Sequence, residues 1–302
     1  MSNQPLESRD APATKGQARQ VTVAPDLSTG RDVGVKIDSV RKAYETRGEP
    51  IVALEDCSLD LKPGEFVSVV GPSGCGKSTL MLIVAGLIPA SHGSVTIGET
   101  VVRTPYTDLG IVFQEPVLLD WRKVMGNVLL QVELRRGFDK RKYLARAHEL
   151  LDLVGLTGFE SRYPFELSGG MRQRDSICRA LLHDPPLLLM DEPFGALDAL
   201  TRDQLNLDLQ NIWLGSGKTV MFVTHSISEA VFLSDKVAVF SSRPGRVIEV
   251  LEIDLPRPRH LSIRETPEFG RYAGEIRRVF ASLGILRDDA LAPGETGASR
   301  PA

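Results

Sequence analysis

The run Gly71-Pro72-Ser73-Gly74-Cys75-Gly76-Lys77-Ser78-Thr79 limits what this chain can fold into more than any other feature. It satisfies the pattern G-x-x-x-x-G-K-[ST], follows an apolar stretch, Glu65–Val70, and opens a helical one, Ser78–Gly86. Glycines let successive backbone N–H groups converge on phosphate oxygens, and the helix N-terminus adds positive potential. Lys77 is placed to reach the β- and γ-phosphates of a nucleotide, and the Ser78 hydroxyl to ligate Mg²⁺. The loop needs a buried strand leading into it, so the pattern points to an α/β sheet.

The rest of the chain supplies the other strands. Ile111–Phe113, Leu187–Met190, Val220–Thr224 and Val237–Phe240 are short apolar runs, several continuously apolar, as expected of strands covered on both faces. Asn127 to Tyr163 has another texture. Tyr143, Leu144, Ala147, Leu150, Leu151 and Val154 recur at helical spacing, with Lys140, Arg141, Lys142 and Arg146 on the polar side. This reads as a helical insertion between strands. Phe269, Tyr272, Ala273, Ile276, Val279, Phe280 and Leu283 repeat the spacing and predict a C-terminal amphipathic helix packed on the domain rather than on lipid.

Residues 1–34 are polar and aperiodic and read as a flexible tail; residues 288–302 read as a frayed end. The organisation expected is a tail over 1–34, one domain over 35–260 with a helical part at about 116–175, and a C-terminal helix and tail over 261–302. No internal repeat is evident, so the chain carries one copy of its site.

Composition removes several classes. Among 302 residues, 36 Lys+Arg against 39 Asp+Glu leave a net charge of −3, without the basic excess of a dedicated nucleic-acid binder. Cys57, Cys75 and Cys178 are odd in number and form no CxxC pair, which argues against a disulfide framework or zinc ribbon and for a reducing compartment. The first residues lack the apolar core of a signal peptide. The most apolar window, Leu80–Ile88, stops at Pro89, far short of the roughly 20 residues a bilayer span needs.

Five further motifs accompany the phosphate loop. Leu167-Ser168-Gly169-Gly170-Met171-Arg172-Gln173-Arg174 precedes a helix, and Ser168, Gly169 and Gly170 offer it a second anion-binding start. Asp191 and Glu192 follow the apolar Leu187–Met190, where Asp191 would hold hydrated Mg²⁺ and Glu192 orient or deprotonate water. Gln114 lies in Val112-Phe113-Gln114-Glu115-Pro116, His225 ends Val223-Thr224-His225, and Asp198 ends Ala196-Leu197-Asp198. Gln114 and His225 each terminate an apolar strand, so the polar groups gather at one sheet edge, where open α/β sheets bind ligands.

Together these elements resemble the ATP-binding cassette (ABC) ATPases, over about Val35 to Pro258. The resemblance implies a P-loop NTPase fold with a RecA-like core, an antiparallel β subdomain and a helical subdomain. It makes Leu167–Arg174 the signature, Asp191 and Glu192 the Walker B end and catalytic glutamate, Gln114 the Q-loop glutamine and a Mg²⁺ contact, Asp198 part of the D-loop, and His225 the switch histidine. Tyr44 matches the aromatic residue, before the first strand pair, that stacks on adenine. The cofactors implied are ATP and Mg²⁺. Two chains would bury two nucleotides head to tail, each phosphate loop facing the other chain's signature, so a second copy is a required partner.

Asp175 departs from the family, which usually has an apolar residue there; the helix dipole would tolerate it, or it would face a partner. Cys75, at a helix start, is expected to have a stabilised thiolate that alkylation attacks and ATP protects.

Two uses of the ATPase compete. One is the cytosolic subunit of a membrane transporter; the other is a soluble ABC ATPase in DNA repair or translation. Too few residues separate Lys77 from Leu167 for the coiled coils of repair-type cassettes, and one cassette per chain is unlike translation factors. The transporter reading is preferred. Gln114-Glu115-Pro116-Val117-Leu118-Leu119-Asp120-Trp121 and Ser241–Arg246 are similar to the nitrate, sulfonate and taurine importers, although Pro often stands where Asp120 is. That group implies a separate permease dimer, a solute-binding protein, no nucleic acid, and a peripheral place on the cytoplasmic face of the cell (inner) membrane. Trp121 reads equally as an anchor on the permease or as core.

Overall fold

The computed structural model describes residues 33–135, 139–195 and 197–286. The expectations for residues 1–32, for Ala196 and for the end beyond Leu286 lie outside them.

The sheet that carries the phosphate loop is built from the predicted apolar runs. β3 (Phe66–Val70), β6 (Leu109–Val112), β7 (Leu187–Asp191), β8 (Thr219–Thr224) and β9 (Lys236–Phe240) run parallel, and β10 (Val247–Glu252) adds an antiparallel edge; the order is β10-β9-β3-β8-β7-β6. Every residue of β3, β7 and β8 is buried, which explains why these runs show no polar alternation. Their period of two survives in what each side chain meets. Val67, Val69, Leu187, Leu189, Met221 and Val223 enter one core. Phe66, Val70, Leu188, Met190, Val220 and Phe222 enter another on the opposite face.

A second sheet covers the first of these cores. β1 (Val35–Tyr44), β2 (Ile51–Leu61), β4 (His92–Ile97) and β5 (Thr100–Val101) pair antiparallel in the order β2-β1-β4-β5. Val35, Ile37, Leu59 and Leu61 point inward and join α1 (Lys77–Val84) against the parallel sheet. Tyr44 is the last residue of β1, not a residue ahead of the strand pair.

On the opposite face lie the helices. α2 (Val124–Glu133) and α3 (Lys140–Leu153) form the insertion, and α4 (Gly169–Leu181) packs on α2. α5 (Ala199–Leu214), α6 (Ile227–Leu233) and α7 (Pro267–Ser282) complete the layer. Phe66 anchors it, with its ring 5.7 Å from those of Trp213 and Phe222. α7 starts at Thr266, whose side chain accepts from Phe269 N, and has Pro at its first turn. Its face of Phe269, Tyr272, Ala273, Ile276 and Phe280 is buried in the same core.

The segment before α7 is fastened by one side chain. Arg259 is 1% exposed, and its guanidinium donates to the carbonyls of Val231, Phe232, Ser234, Ile253 and Leu255 at 2.8–3.2 Å. The backbone of Arg259 is held as well: its N–H donates to Gln210 Oε1 and its carbonyl accepts from Gln210 Nε2.

Asp175 faces neither solvent nor a surface where a partner could sit. It is wholly buried on α4, both carboxylate oxygens lack a hydrogen-bond partner, and burial pushes the carboxyl up to about 7 against the pull of Arg179.

Candidate functional site

β3 runs directly into the phosphate loop. Gly71 leaves the strand beside Phe240, where a Cβ would fall 2.9 Å from Phe240 Cβ. Gly76, at φ 105°, ends the loop against β2, where a Cβ would meet the Ala53 carbonyl at 2.8 Å. Only glycine fits either approach. Lys77 opens α1 yet is only 4% exposed, and its ammonium donates to the carbonyls of Gly71 and Pro72, both at 2.9 Å. Ser78 and Thr79 follow in the first turn of α1. Pro72, Ser73, Gly74 and Cys75 form the bend between, with Gly74 at φ 74°.

The expectation for Cys75 is corrected. Its thiol is 1% exposed, and burial pushes its pKa up, outweighing the lowering effect of Lys77. Desolvation defeats the helix start here. Cys57 and Cys178 are also buried and raised, Cys57 to about 11.

Asp191 and Glu192 sit where β7 ends, facing the loop. Asp191 is 7% exposed; burial pushes its carboxyl up, opposed by a hydrogen bond from the Ser78 hydroxyl and by Lys77. Its Oδ1 is buried without a hydrogen-bond partner. A buried carboxylate oxygen beside a serine hydroxyl fits a hard divalent cation such as Mg²⁺, which takes one or two protein oxygens and draws the rest from water and phosphate. No group of three or more His, Cys, Asp or Glu that could hold a metal occurs among the described residues.

Glu192 is turned sharply off the strand. It has φ 42°, a region that costs a non-glycine residue about 1–3 kcal/mol, and its N–H is fixed to the Val223 carbonyl at 2.8 Å. The turn points the carboxylate at two partners. Oε1 lies 3.8 Å from Lys77 Nζ, and Oε2 lies 2.8 Å from Nδ1 of His225, one residue beyond β8.

Glu192 and His225 open on a cleft of about 260 Å³, whose walls also include Gln114, Gly169, Arg172 and Gln173. Ends of three parallel strands and the start of α4 therefore share one concavity. Gln114 is exposed two residues beyond β6, and the preceding Phe113 carbonyl accepts from Gln173 Nε2 at 3.3 Å. Arg179 holds the next stretch by donating to the carbonyls of Pro116 and Val117.

The phosphate-loop residues 71–79, Asp191, Ser168, Gly170, Asp198 and Tyr44 are not among the cleft residues. Ser168 caps α4 by accepting from Met171 N, and Asp198 caps α5 by accepting from Thr201 N. Tyr44 is 40% exposed, with Lys42 Nζ 5.1 Å over its ring. It pairs with Ile51, two residues from the Ala53 carbonyl that touches the loop.

Sequence reasoning missed Arg172 and Gln173 as cleft residues and Arg179 as the clamp on 116–117. Their signal was present, since all three stand in α4 after the Ser168 cap, but a helix face cannot be assigned to a cleft before the fold is known.

Outside this cleft the largest exposed aromatic is Trp121, at 76%, beside a shallow groove it shares with Lys123, Glu133, Leu144, His148 and Tyr163. Trp121 is therefore not core. No helix among the described residues is long and apolar enough to cross a membrane.

Residues 54–195 match the ABC transporter family. The ABC transporter ATP-binding protein MJ0412 of Methanocaldococcus jannaschii is 45% identical over 86% of this chain and 93% of its own length. The taurine import ATP-binding protein TauB of Rhizobium johnstonii is 45% identical over 85% of this chain and all of its own, and TauB of Escherichia coli K12 is 46% identical over 74% and 88%. Among solved structures, a dimer of the ATP-binding cassette MJ0796 in a post-hydrolysis state with ADP and Pi is 33% identical with a TM-score of 0.67, covering 74% of this chain and all of that one.

Proposed function

The chain belongs to the ABC transporter family of ATP-binding proteins, and on that premise we propose how its residues divide the work of an importer's ATPase subunit. It binds and hydrolyses ATP, pairs with a second copy of itself, and acts on a membrane permease. Nothing favours the repair or translation alternative.

The observation that carries the residue roles is the meeting of Lys77, Glu192 and His225 at the ends of β3, β7 and β8, within 3.8 and 2.8 Å of one another. Gly71 through Gly76 would cradle the phosphates with backbone N–H groups, and Lys77 would exchange its loop carbonyls for β- and γ-phosphate oxygens. Ser78, Asp191 and Gln114 are the proposed Mg²⁺ residues; the ion would neutralise phosphate charge. Glu192 would take a proton from the attacking water, and His225, carrying protons on both ring nitrogens, would donate through Nε2 to the γ-phosphate. Ser168, Gly169, Gly170 and Asp198 would serve the nucleotide of the second chain, and Tyr44 would stack on adenine.

Closing the pair around two nucleotides would pull on residues 113–117, which Gln173 and Arg179 tie to α4, and so on the permease. Trp121 and its groove are the proposed docking point. By likeness to the taurine import proteins, the solute is a small nitrate-, sulfonate- or taurine-like or related compound, with a sulfonate the first candidate, delivered by a solute-binding protein. The subunit's place would be peripheral, on the cytoplasmic face of the cell membrane.

The test is phosphate release by the purified chain with Mg²⁺ and ATP. Wild type should turn over, Glu192→Gln should bind ATP and elute as a nucleotide-locked dimer, and Lys77→Ala should lose ATP binding. A Glu192→Gln chain that hydrolyses like wild type, or elutes only as monomer with ATP, overturns these roles. Taurine or another sulfonate driving ATP-dependent uptake into vesicles that hold the cognate permease would support the sulfonate candidate. Failure of every sulfonate there would refute it.

A further inference from the structure

α5 and α6 begin beside two residues assigned to the reaction, Asp198 and His225, and a polar chain, buried at Thr224 and Glu229, joins them. Arg202, one turn into α5, donates through Nη2 to the Leu197 carbonyl at 2.9 Å, holding the turn that carries Asp198. Its Nε makes no hydrogen bond among the described residues and faces Glu229 Oε1 as a charge pair across 3.6 Å. Glu229 is 6% exposed on α6, and its Oε2 accepts from Thr224 Oγ1 at 2.7 Å. Thr224 Oγ1 in turn accepts from Ser226 N at 3.0 Å. Thr224 and Ser226 flank His225, so these bonds fix the backbone on both sides of the imidazole.

The chain also reaches α4. A Cβ at Gly170 would lie 3.2 Å from Leu197 Cδ2 and 3.5 Å from Thr201 Cγ2, so the start of α4 packs on the turn that Arg202 holds. Arg264 adds a brace, pairing with Asp203 of α5 and lying 4.9 Å over the Phe232 ring of α6. Burial pushes the Glu229 carboxyl up, opposed by Thr224, Arg202, His225 and Arg264. A buried carboxylate with two polar partners is expensive to keep unless it serves a defined geometry.

We propose that Arg202 and Glu229 are positioning residues that set the orientation of His225 from the turn at Leu197 and Asp198, so that the placing of the Ser168–Gly170 segment is felt at the switch imidazole of the same chain. The inference rests on the ATPase reading above, because it gives His225 its role. Neither residue touches the phosphate loop, so both act on turnover and not on nucleotide capture.

The test uses the full chain with Arg202→Met and with Glu229→Gln, which keeps the shape and the Thr224 acceptor. ATP affinity should stay within about twofold of wild type while turnover falls about tenfold. The proton resonances of the five histidine rings provide a second readout, with His225 assigned by its absence in His225→Gln. His225 should shift in both variants, while His92, His148, His183 and His260 stay in place. Turnover like wild type, an unmoved His225 resonance, or a shift of all five rings overturns the proposal. If the wild-type chain releases no phosphate, the ATPase reading fails instead, and the ring resonances still report whether the Arg202–Glu229 link orients His225.

Discussion

Nδ1 of His225 and Oε2 of Glu192 lie 2.8 Å apart, so an imidazole and a carboxylate from the ends of neighbouring parallel strands form one hydrogen-bonded unit. The strained turn at Glu192 makes this contact possible, and in the proposed role the ring, protonated at both nitrogens, would donate through Nε2 to a phosphate oxygen. His225→Ala should therefore lower turnover at least about 100-fold, within the range of general acid–base contributions, while ATP affinity changes less than about threefold. Phosphate release and equilibrium binding of a fluorescent ATP analogue check this pair of outcomes.

Asp175 makes stability depend on pH in an unusual direction. Its folded pKa of about 7 lies above the ordinary value near 4, so the folded state holds a proton that the unfolded chain gives up. Its contribution is fully present below about pH 4 and is lost as pH rises toward 7, a swing of roughly 4 kcal/mol at most. Asp175→Leu should raise the melting temperature at pH 8 and do so much less at pH 5. An equal gain at both values would show that the carboxyl does not titrate in the fold.

The three thiols are predicted to be slow. With Cys57, Cys75 and Cys178 all buried and raised, N-ethylmaleimide at pH 7.5 should label the native chain at least about tenfold more slowly than the chain in guanidinium. Mass spectrometry of timed samples would resolve each site. Rapid native labelling of Cys75 would restore the reactive-thiolate expectation.

Trp121 should matter only in the assembled transporter. Trp121→Ala should leave the ATPase rate of the isolated chain unchanged, because the ring lies outside the cleft. Affinity for permease-containing vesicles should fall about 30-fold or more, the effect of losing a central aromatic anchor. Co-sedimentation gives the number.

Much of the parallel sheet was legible because its strands are covered on both faces. Phe66–Val70, Leu187–Asp191 and Thr219–Thr224 carry no polar residue that would blur them except Ser68, the two threonines and the terminal Asp191. β1 and β2 were not read strand by strand. Their alternation is broken by register shifts at Ile37/Val40 and Val40/Lys42, which scramble the period of two. The site residues that end strands, Asp191, Glu192 and His225, stand out in sequence because a charged or polar side chain follows an apolar run. Arg202, Glu229 and Arg259 do not. A charged residue on a helix reads as solvated until the fold shows it facing inward, and no local pattern separates Glu229 from an ordinary surface glutamate.

The five carbonyls gathered by Arg259 give the chain an order of completion. Those of Val231, Phe232 and Ser234 close the helix that follows His225, and they leave the ribosome well before the arginine that satisfies them. Until Arg259 arrives, those acceptors must be served by water, and the core that covers them cannot seal. His225, the proposed switch residue, leads directly into that helix, so a nascent chain that already has β8 and β9 to pair with β3 and its loop still lacks the side chain that closes the segment after His225.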